Sequence, residues 1–290
     1  ALGPGVAKVA VGDRVLVTLI RSCGTCANCA SGKPTICEAP DTGASPIARP
    51  DGTPVKKAMD CGAFAERVVV HQSQVVPLPN DMPPEAVALM ARGVITGVGA
   101  IVNAGKLRAG EDVVVIGAGG VGLNAIQGAR IAGARRIVAV DMTEDKLETA
   151  KTFGATDGVL ATGKAPWKEV HKILGRGADL IAVTVGAIPA YNQAPRYLGW
   201  GGRMVMIGMP HSGAMAEYEP VVLAYMAQGM VGSKMGDVVI RRDIPWLADL
   251  YRQGRLKLDE LVSGRWSLDQ INEAIADTKA GGAKRNVILF

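Results

Sequence analysis

The chain of 290 residues is long enough for two domains, and its 48% apolar and 20% charged residues are typical of a soluble globular protein. The net charge of +5 comes from scattered lysines and arginines without a long basic run, which argues against a nucleic-acid partner. No apolar stretch reaches about 18 residues without a polar interruption, and no signal peptide is visible, so we expect a cytoplasmic protein without a membrane partner.

The first chemical signal in chain order is a cysteine-rich segment, CGTCANCASGKPTIC at residues 23–37. Four thiolates at such short spacings can converge on one tetrahedral Zn²⁺ with a structural role, and we expect one such ion here. An iron–sulfur cluster also takes four cysteines, and disulfides would need an oxidising compartment, so both alternatives stay open. Cys61 is left over and is expected to be a small buried apolar side chain. The predicted zinc ligands are Cys23, Cys26, Cys29 and Cys37.

A dinucleotide-binding pattern begins at Val113–Ile116, a β-branched run typical of a buried parallel strand. It leads into the motif Gly117-x-Gly119-x-x-Gly122. The first glycine makes a tight turn, the second lets the backbone approach a diphosphate, and the third lets the following helix pack closely on the strand. The N-terminus of that helix would then face the diphosphate with free N–H groups.

The next apolar strand, Ile137–Val140, ends at Asp141, at the distance from the glycine motif where dinucleotide-binding folds carry an acidic residue. The Asp141 carboxylate can accept hydrogen bonds from both hydroxyls of the adenosine ribose and would repel a 2′-phosphate. This pattern predicts NAD rather than NADP. Lys146 lies one turn into the next helix and could also reach the ribose.

Strands and helices continue to alternate after this pattern. Short strands are predicted at 158–160, 180–184 and 203–207, and helices at 167–174 and 189–198. Such alternation predicts a doubly wound parallel sheet, in which ligands bind at the carboxyl ends of the strands.

These motifs, in this order, resemble those of the zinc-containing medium-chain alcohol dehydrogenases. The resemblance implies a Rossmann domain at 94–234, inserted in a partial, β-rich GroES-like catalytic domain made of 1–93 and 235–290. The phrases GLNAIQGARIAGA and VTVGA are nearest to the formaldehyde-dehydrogenase-like and nicotinoprotein branches. The landmarks that carry the resemblance are VGDRV at 11–15, the four-cysteine segment, GAFAERVVV at 62–70, GVITGVGA at 93–100, GAGGVG at 117–122 and KRNVILF at 284–290.

The resemblance implies an NAD-dependent oxidoreductase that moves hydride between nicotinamide and a small-molecule alcohol or aldehyde. It also implies a homodimer or homotetramer, in which a predicted edge strand at 230–232 would pair. The site residues it assigns are Gly117, Gly119, Gly120, Val121, Gly122 and Arg285 at the diphosphate, Asp141 and Lys146 at the ribose, Ile207, Gly208 and Met209 beside the nicotinamide, and Leu19, Ala58 and Met59 at the substrate cleft.

Members of this family hold a second, catalytic zinc, whose ligands are an early Cys, an early His and a later Cys directly before the Rossmann domain. Arg92 occupies the position of the later Cys, and an arginine has no lone pair to offer a metal. The two early ligands would lie upstream of Ala1, so we expect an N-terminal segment to be missing and no catalytic zinc in this chain.

Two alternative functions follow from Arg92. In a zinc-free NAD(P)H-dependent carbonyl or enone reductase, its guanidinium would polarise the carbonyl or bind an anionic substrate. In the other alternative, the chain binds NAD without catalysis. The three histidines, His71, His171 and His211, are interpreted as solvated side chains, of which only His211 follows the predicted nicotinamide side.

Overall fold

The computed structural model describes residues 1–39 and 47–290. Two compact units make up the chain: one joins Ala1–Arg92 to Val238–Phe290, and the other is Gly93–Asp237. The strands are β1 (Val15–Val17), β2 (Val75–Pro77), β3 (Asp112–Ile116), β4 (Arg136–Asp141), β5 (Asp157–Leu160), β6 (Ala178–Val183), β7 (Leu198–Met206), β8 (Gly229–Gly232), β9 (Val262–Ser267) and β10 (Arg285–Leu289). The α-helices are α1 (Ala27–Ala30), α2 (Pro84–Leu89), α3 (Ile95–Gly99), α4 (Gly120–Ile131), α5 (Glu144–Phe153), α6 (Pro166–Leu174), α7 (Ile188–Gln193), α8 (Pro220–Tyr225), α9 (Ile240–Arg252) and α10 (Ile271–Ala280).

The unit Gly93–Asp237 is built on a six-stranded parallel sheet in the order β5-β4-β3-β6-β7-β8. The central strands are buried on both faces, as their β-branched sequences predict. The chain moves outward from β3 in one direction and then from β6 in the other, which opens a crevice at the carboxyl ends of these two strands. The predicted doubly wound sheet is therefore confirmed.

The predicted helix 189–198 is shorter in the structure, because its last residues enter a strand. α7 ends at Gln193, a 3-10 turn spans Ala194–Tyr197, and β7 already begins at Leu198. The sequence Gly199-Trp200-Gly201-Gly202 hides this early start, since it forms an irregularity between the pairs Ala178–Leu198 and Leu180–Arg203. Gly201 has a φ of 67°, which suits glycine and breaks the strand pattern in the sequence.

Ion pairs hold the opposite, amino end of the sheet. Asp112, fully buried at the start of β3, lies 2.6 Å from Arg135 and 3.0 Å from Arg176. Arg203 on β7 pairs with Glu111 at 2.7 Å. These pairs connect the loops before β3, β4 and β6 with one another and with the strand β7. The ion pairs therefore lie at one end of the sheet, and the glycine motif lies at the opposite end.

The unit of Ala1–Arg92 and Val238–Phe290 contains two small sheets. β1 pairs with β2 in antiparallel fashion, and β9 pairs with β10 in parallel fashion with one register shift at Arg285/Asn286. α9 packs against β2, and α10 packs against both β9 and β10. The interior of this unit includes Leu16 on β1 and both Val75 and Val76 on β2, which are all buried.

A helical segment at Pro84–Ala104 is long and apolar enough to cross a membrane by length and composition alone, and among the described residues no other helix is. It joins α2 and α3 through π-helical turns at Met90–Val94 and Ala100–Ala104. Since 67% of its apolar window is buried inside the fold, it packs as a core helix. Arg92 interrupts its apolar sequence.

Candidate cofactor-binding and metal-binding sites

The turn between β3 and α4 has no room for side chains at two of its three motif glycines. Gly117 has a φ of 97°, and a Cβ atom there would lie 2.4 Å from Val185 Cγ1. A Cβ atom at Gly122 would lie 1.8 Å from the carbonyl oxygen of Gly117. At Gly119, by contrast, a Cβ atom would meet nothing within 4 Å. The turn is thus closed on its inner side and open at Gly119.

The open side of this turn is the N-terminus of α4. This helix begins at Gly120, after an extended Gly119 that provides no side-chain cap. The first N–H groups of an α-helix have no partner within the helix and carry the positive end of its dipole. Gly120 and Val121 therefore present backbone donors beside an open surface, and this cradle fits a diphosphate.

Asp141 lies at the end of β4, beside the same turn. Its side chain is buried, and its two oxygens accept the N–H groups of Ala118 at 2.6 Å and Met142 at 2.7 Å. Lys146 Nζ lies 4.0 Å from Asp141 Oδ1 and remains 41% exposed, so the pair offers both a carboxylate and an ammonium group at one edge. The structure thus brings the predicted ribose residues next to the glycine turn.

A cavity of about 470 Å³ opens beside Asp141. Asp141 and Lys146 lie in one part of its wall, and Pro189, Gln193 and Tyr197 form the wall made by α7 and the 3-10 turn after it. The cavity is large enough for a nucleoside. Gln193 and Tyr197 were absent from the sequence prediction, because they lie in a helix whose orientation the sequence does not reveal.

The turns that follow β6 and β7 are packed against each other. A Cβ atom at Gly208 would lie 2.2 Å from the carbonyl oxygen of Val185, and one at Gly186 would lie 2.5 Å from the carbonyl oxygen of Met209. The Tyr191 hydroxyl donates a hydrogen bond to the carbonyl oxygen of Gly208. This places Gly208 and Met209 at the carboxyl ends of the central strands. Met209 is 80% exposed, whereas Ile207, the third residue predicted to lie beside the nicotinamide, is buried.

The four predicted zinc ligands converge in the structure. Their sulfur atoms all lie within 4.8 Å of one another, and no other group of three or more potential ligands converges in the part of the chain that the structure describes. The Cys23–Cys29 and Cys26–Cys37 sulfur distances are 3.9 and 4.0 Å. A tetrahedral site with metal–sulfur bonds of about 2.3 Å has edges of about 3.8 Å, so the cluster fits one zinc ion.

The acidities of these thiols differ strongly. Backbone N–H groups of Thr25 and Cys26 point at Cys23 and lower its pKa to about 6. Burial and the neighbouring thiols raise the pKa of Cys29 to about 12. Four thiolates cannot share so small a space without a cation, and a divalent metal would supply that charge.

Arg92 and Arg285 lie within one compact unit, and the charge of Arg92 acts on Arg285. Arg92 is an exposed residue of the π-helical turn Met90–Val94, and Arg285 is the partly buried first residue of β10. Burial and the charge of Arg92 lower the pKa of Arg285, and no carboxylate of the described residues opposes this shift. A partly buried cation with a second cation as its charged neighbour fits an anionic ligand.

The remaining titratable candidates do not form a site. His71 is exposed and its Nδ1 accepts the Ser73 N–H, so it caps a turn. The prediction that His171 is solvated was wrong for its Nε2 atom, which is buried without a partner among the described residues, whereas His211 is exposed as expected. Cys61 is half-buried, and burial raises its pKa.

The predicted substrate-cleft residues lie on two segments that one side chain connects. The buried Gln74 carboxamide donates to the carbonyl oxygens of Thr18 at 3.1 Å and Asp60 at 3.4 Å. Leu19 is half-buried beside Thr18, and the predicted residues next to Asp60, Ala58 and Met59, are exposed. Met59 has a φ of 53°, a left-handed conformation rarely adopted by a residue with a side chain.

Comparisons with known proteins cover most of the chain. Residues 1–80 match the family description "alcohol dehydrogenase GroES-like domain", and residues 120–253 match "zinc-binding dehydrogenase". The NDMA-dependent alcohol dehydrogenase of Amycolatopsis methanolica is 35% identical over 301 residues, which cover 99% of this chain and 80% of that protein.

Two further proteins are also similar to this chain over nearly its whole length. The S-(hydroxymethyl)glutathione dehydrogenase of Paracoccus denitrificans is 31% identical over 313 residues, which cover 100% of this chain and 81% of that protein. The solved structure of benzyl alcohol dehydrogenase from Acinetobacter calcoaceticus has a TM-score of 0.92 to this chain at 30% identity, covering 99% of this chain and 80% of that one. The similarity in sequence and the similarity in fold therefore both extend over nearly the whole chain.

Proposed function

Because this chain belongs to the zinc-containing medium-chain alcohol dehydrogenases, oxidoreductases that act on alcohols, we propose that it transfers hydride between an alcohol or aldehyde and NAD. The family predicted from the sequence motifs is thereby confirmed. The observation that supports NAD as the cofactor is the buried Asp141 carboxylate, which lies beside the glycine turn at the end of β4. When bound, the nicotinamide would exchange hydride with the alcohol carbon.

The chain's own residues would hold the two ends of the dinucleotide. Gly119, Gly120 and Val121 would bind the diphosphate with backbone N–H groups, while Gly117 and Gly122 keep the turn compact. Lys146 and Asp141 would bind the adenosine ribose, and Asp141 would repel a 2′-phosphate. Ile207, Gly208 and Met209 would contact the nicotinamide, and Arg285 would bind a phosphate with its partly buried guanidinium.

The test of this proposal is NADH binding by the purified chain, followed by fluorescence, with NADPH as the competitor. We expect NADH to bind at least about tenfold more tightly than NADPH, since unit charges a few ångströms apart repel by about 1–4 kcal/mol near a protein surface. Equal affinity for both cofactors would contradict the role of Asp141. Alcohol-dependent reduction of NAD then tests the reaction itself.

The cysteine cluster is proposed to hold one structural zinc ion. Its four sulfur atoms lie within 4.8 Å of one another, and the family description is that of a zinc-binding dehydrogenase. Elemental analysis after dialysis against a mild chelator should find one zinc per chain, and Cys61→Ser should retain it. A zinc-free chain would contradict the four-thiolate site, and two ions per chain would show a second site.

A zinc-free reductase is the second candidate, and the neighbouring cations Arg92 and Arg285 favour it. A guanidinium at Arg92 cannot ligate zinc, but it can bind a carboxylate or polarise a carbonyl oxygen. In this case, reduction of a carbonyl or enone would survive chelation and would be lost in Arg92→Ala. Arg92→Lys, which retains the charge but not the planar fork, would retain part of the activity.

A homodimer or homotetramer that associates through the edge of the sheet is also proposed. β8 is one of the two edge strands of the sheet, the other being β5, and the ring centroids of the exposed side chains Trp200 and Tyr225 lie 5.3 Å apart. An unpaired strand beside exposed aromatic residues is suited to association with a second copy. Sedimentation analysis would test the oligomeric state. A cytoplasmic location and a small-molecule alcohol or aldehyde as the substrate complete the proposal.

A further inference from the structure

The methionines of β7 and of the turn that follows it become more exposed along the chain. Met204 is 2% exposed inside the sheet, Met206 at the end of the strand is half-buried, and Met209 is 80% exposed. Met209 lies beyond the carboxyl end of β7, at the edge of the sheet where ligands bind in doubly wound folds. Its thioether is therefore open to small molecules at the same edge that carries the glycine turn after β3.

The backbone of this turn cannot withdraw the Met209 side chain from solvent. A Cβ atom at Gly186 would lie 2.5 Å from the carbonyl oxygen of Met209, and one at Gly208 would lie 2.2 Å from the carbonyl oxygen of Val185. The Tyr191 hydroxyl also donates a hydrogen bond to the carbonyl oxygen of Gly208. Because these contacts fix the backbone, the Met209 side chain stays exposed until a ligand at this edge covers it.

An exposed methionine thioether reacts with peroxides to give the sulfoxide. One oxygen of hydrogen peroxide forms a bond to the Sδ atom while the O–O bond breaks, and the other oxygen takes up the proton and leaves as water. The sulfur loses two electrons, which the peroxide gains. The reaction converts a flexible, apolar side chain into a polar, chiral one.

We propose that Met209 is an oxidation site, that its conversion to methionine sulfoxide by hydrogen peroxide weakens cofactor binding, and that bound cofactor shields it. The inference rests on the proposed function, in which Met209 contacts the nicotinamide. A nicotinamide in this position would keep peroxide from the Sδ atom. After oxidation, the same contact would remove the sulfoxide oxygen from water without giving it a hydrogen bond, which costs free energy.

Met215 is the internal control for both effects. It is also 80% exposed and follows the same strand, but it lies outside the residues proposed to contact the nicotinamide. We therefore expect Met215 to be oxidised at a rate that the cofactor does not change, and its sulfoxide to leave cofactor binding unchanged.

The first experiment measures shielding by peptide mass spectrometry of the purified chain treated with hydrogen peroxide. NADH at about ten times its dissociation constant leaves about one chain in ten unoccupied, so oxidation of Met209 should slow about tenfold. AMP, which lacks the nicotinamide, should not slow it at a concentration that displaces NADH. A rate for Met209 that NADH does not change, or equal slowing of Met209 and Met215, would overturn the proposal.

The second experiment measures the NADH dissociation constant by fluorescence before and after peroxide treatment. Wild-type and Met215→Leu chains should bind NADH about three- to tenfold more weakly once oxidised, the effect of one unpaired polar group at a contact. Met209→Leu has a side chain of similar size without sulfur, so it should keep the affinity that it has before treatment. Methionine sulfoxide reductases with a thiol should restore the affinity of the oxidised wild-type chain.

The Met209→Leu chain separates this site from other oxidised groups, because it retains all the cysteines and the other methionines. An equal loss of affinity in oxidised Met209→Leu and wild type would assign the effect to another side chain and overturn the proposal. If the untreated chain binds NADH but Met209 is neither shielded nor responsible for a loss of affinity, the inference fails and the proposed function stands. If the untreated chain does not bind NADH, both fail.

Discussion

Asp141 accepts a hydrogen bond from the backbone N–H of Ala118 at 2.6 Å, which ties the end of β4 to the glycine turn after β3. Its other oxygen accepts the N–H of Met142 at 2.7 Å. One carboxylate therefore fixes the shape of the turn and, in the proposed function, also selects the cofactor. The two roles have different experimental signatures.

Asp141→Asn should show both roles. An amide can accept only one of the two N–H groups through its oxygen, so the free energy of unfolding should fall by about 1–3 kcal/mol without cofactor. Loss of the negative charge should reduce the preference for NADH over NADPH by about tenfold to a hundredfold. Thermal unfolding and competitive binding measure the two effects, and Asp145→Asn on the exposed start of α5 is the control. An unchanged preference would show that Asp141 acts on the fold alone.

Gly122→Ala should reduce the stability of the protein, whereas Gly119→Ala should reduce NADH binding. The new methyl group at Gly122 would lie 1.8 Å from a carbonyl oxygen, so we expect the free energy of unfolding of the cofactor-free protein to fall by about 4 kcal/mol or more. At Gly119 the methyl group meets no protein atom, so stability should be retained while NADH binding weakens. Thermal unfolding and NADH titration separate the two. Normal NADH binding by Gly119→Ala would place the diphosphate elsewhere.

Tyr191→Phe should destabilise the protein, in contrast to Tyr197→Phe, because the Tyr197 hydroxyl has no hydrogen bond to any residue that the structure describes. The Tyr191 hydroxyl donates to the carbonyl oxygen of Gly208, and removal of this bond should lower the free energy of unfolding by about 1 kcal/mol. Denaturant unfolding of both variants without cofactor provides a comparison in which the chemical change is identical. Equal stability of the two variants would mean that the Tyr191 bond does not hold the turn after β7.

The ion pair between Glu111 and Arg203 should make stability depend on pH. Burial opposes the ionised form of Glu111, but the Arg203 guanidinium and the Arg108 N–H outweigh it and lower the pKa of Glu111 below its ordinary 4.5. Since the folded pKa is the lower one, the stabilisation is present above pH 4.5 and is lost as pH falls through the folded value. The melting temperature of Glu111→Gln should lie below that of the wild type at pH 7 and approach it under acid conditions. A constant difference at all pH values would contradict the role of this charge.

The parts of the molecule that depend on local sequence could be predicted. The order of strand, glycine motif, helix and Asp141 needs only the geometry of one βαβ unit, so the turn and its carboxylate follow from residues close in the chain. The four cysteines lie within one short segment, so their convergence also follows from spacing. In both cases the residues that meet are near one another in sequence.

The parts that depend on tertiary placement could not be predicted. Tyr191, Gln193 and Tyr197 lie on a short helical segment, and the side of it that faces the cavity depends on how it packs against the sheet. Gln74 connects the segments around Thr18 and Asp60, which are far apart in sequence. The early start of β7 was hidden by its glycines, which carry no strand pattern.

Val185 has a consequence for directed evolution of this protein. Its side chain occupies the space that a Cβ atom of Gly117 would need, and its backbone occupies the space that a Cβ atom of Gly208 would need. A library that varies position 185 therefore changes the packing against the Gly117 turn, whereas libraries at Asp141 or Tyr197 vary separate parts of the cavity. Exchange of Val185 for a smaller residue gives room at the Gly117 turn alone, because the atoms that crowd Gly208 are backbone atoms that every residue at position 185 retains.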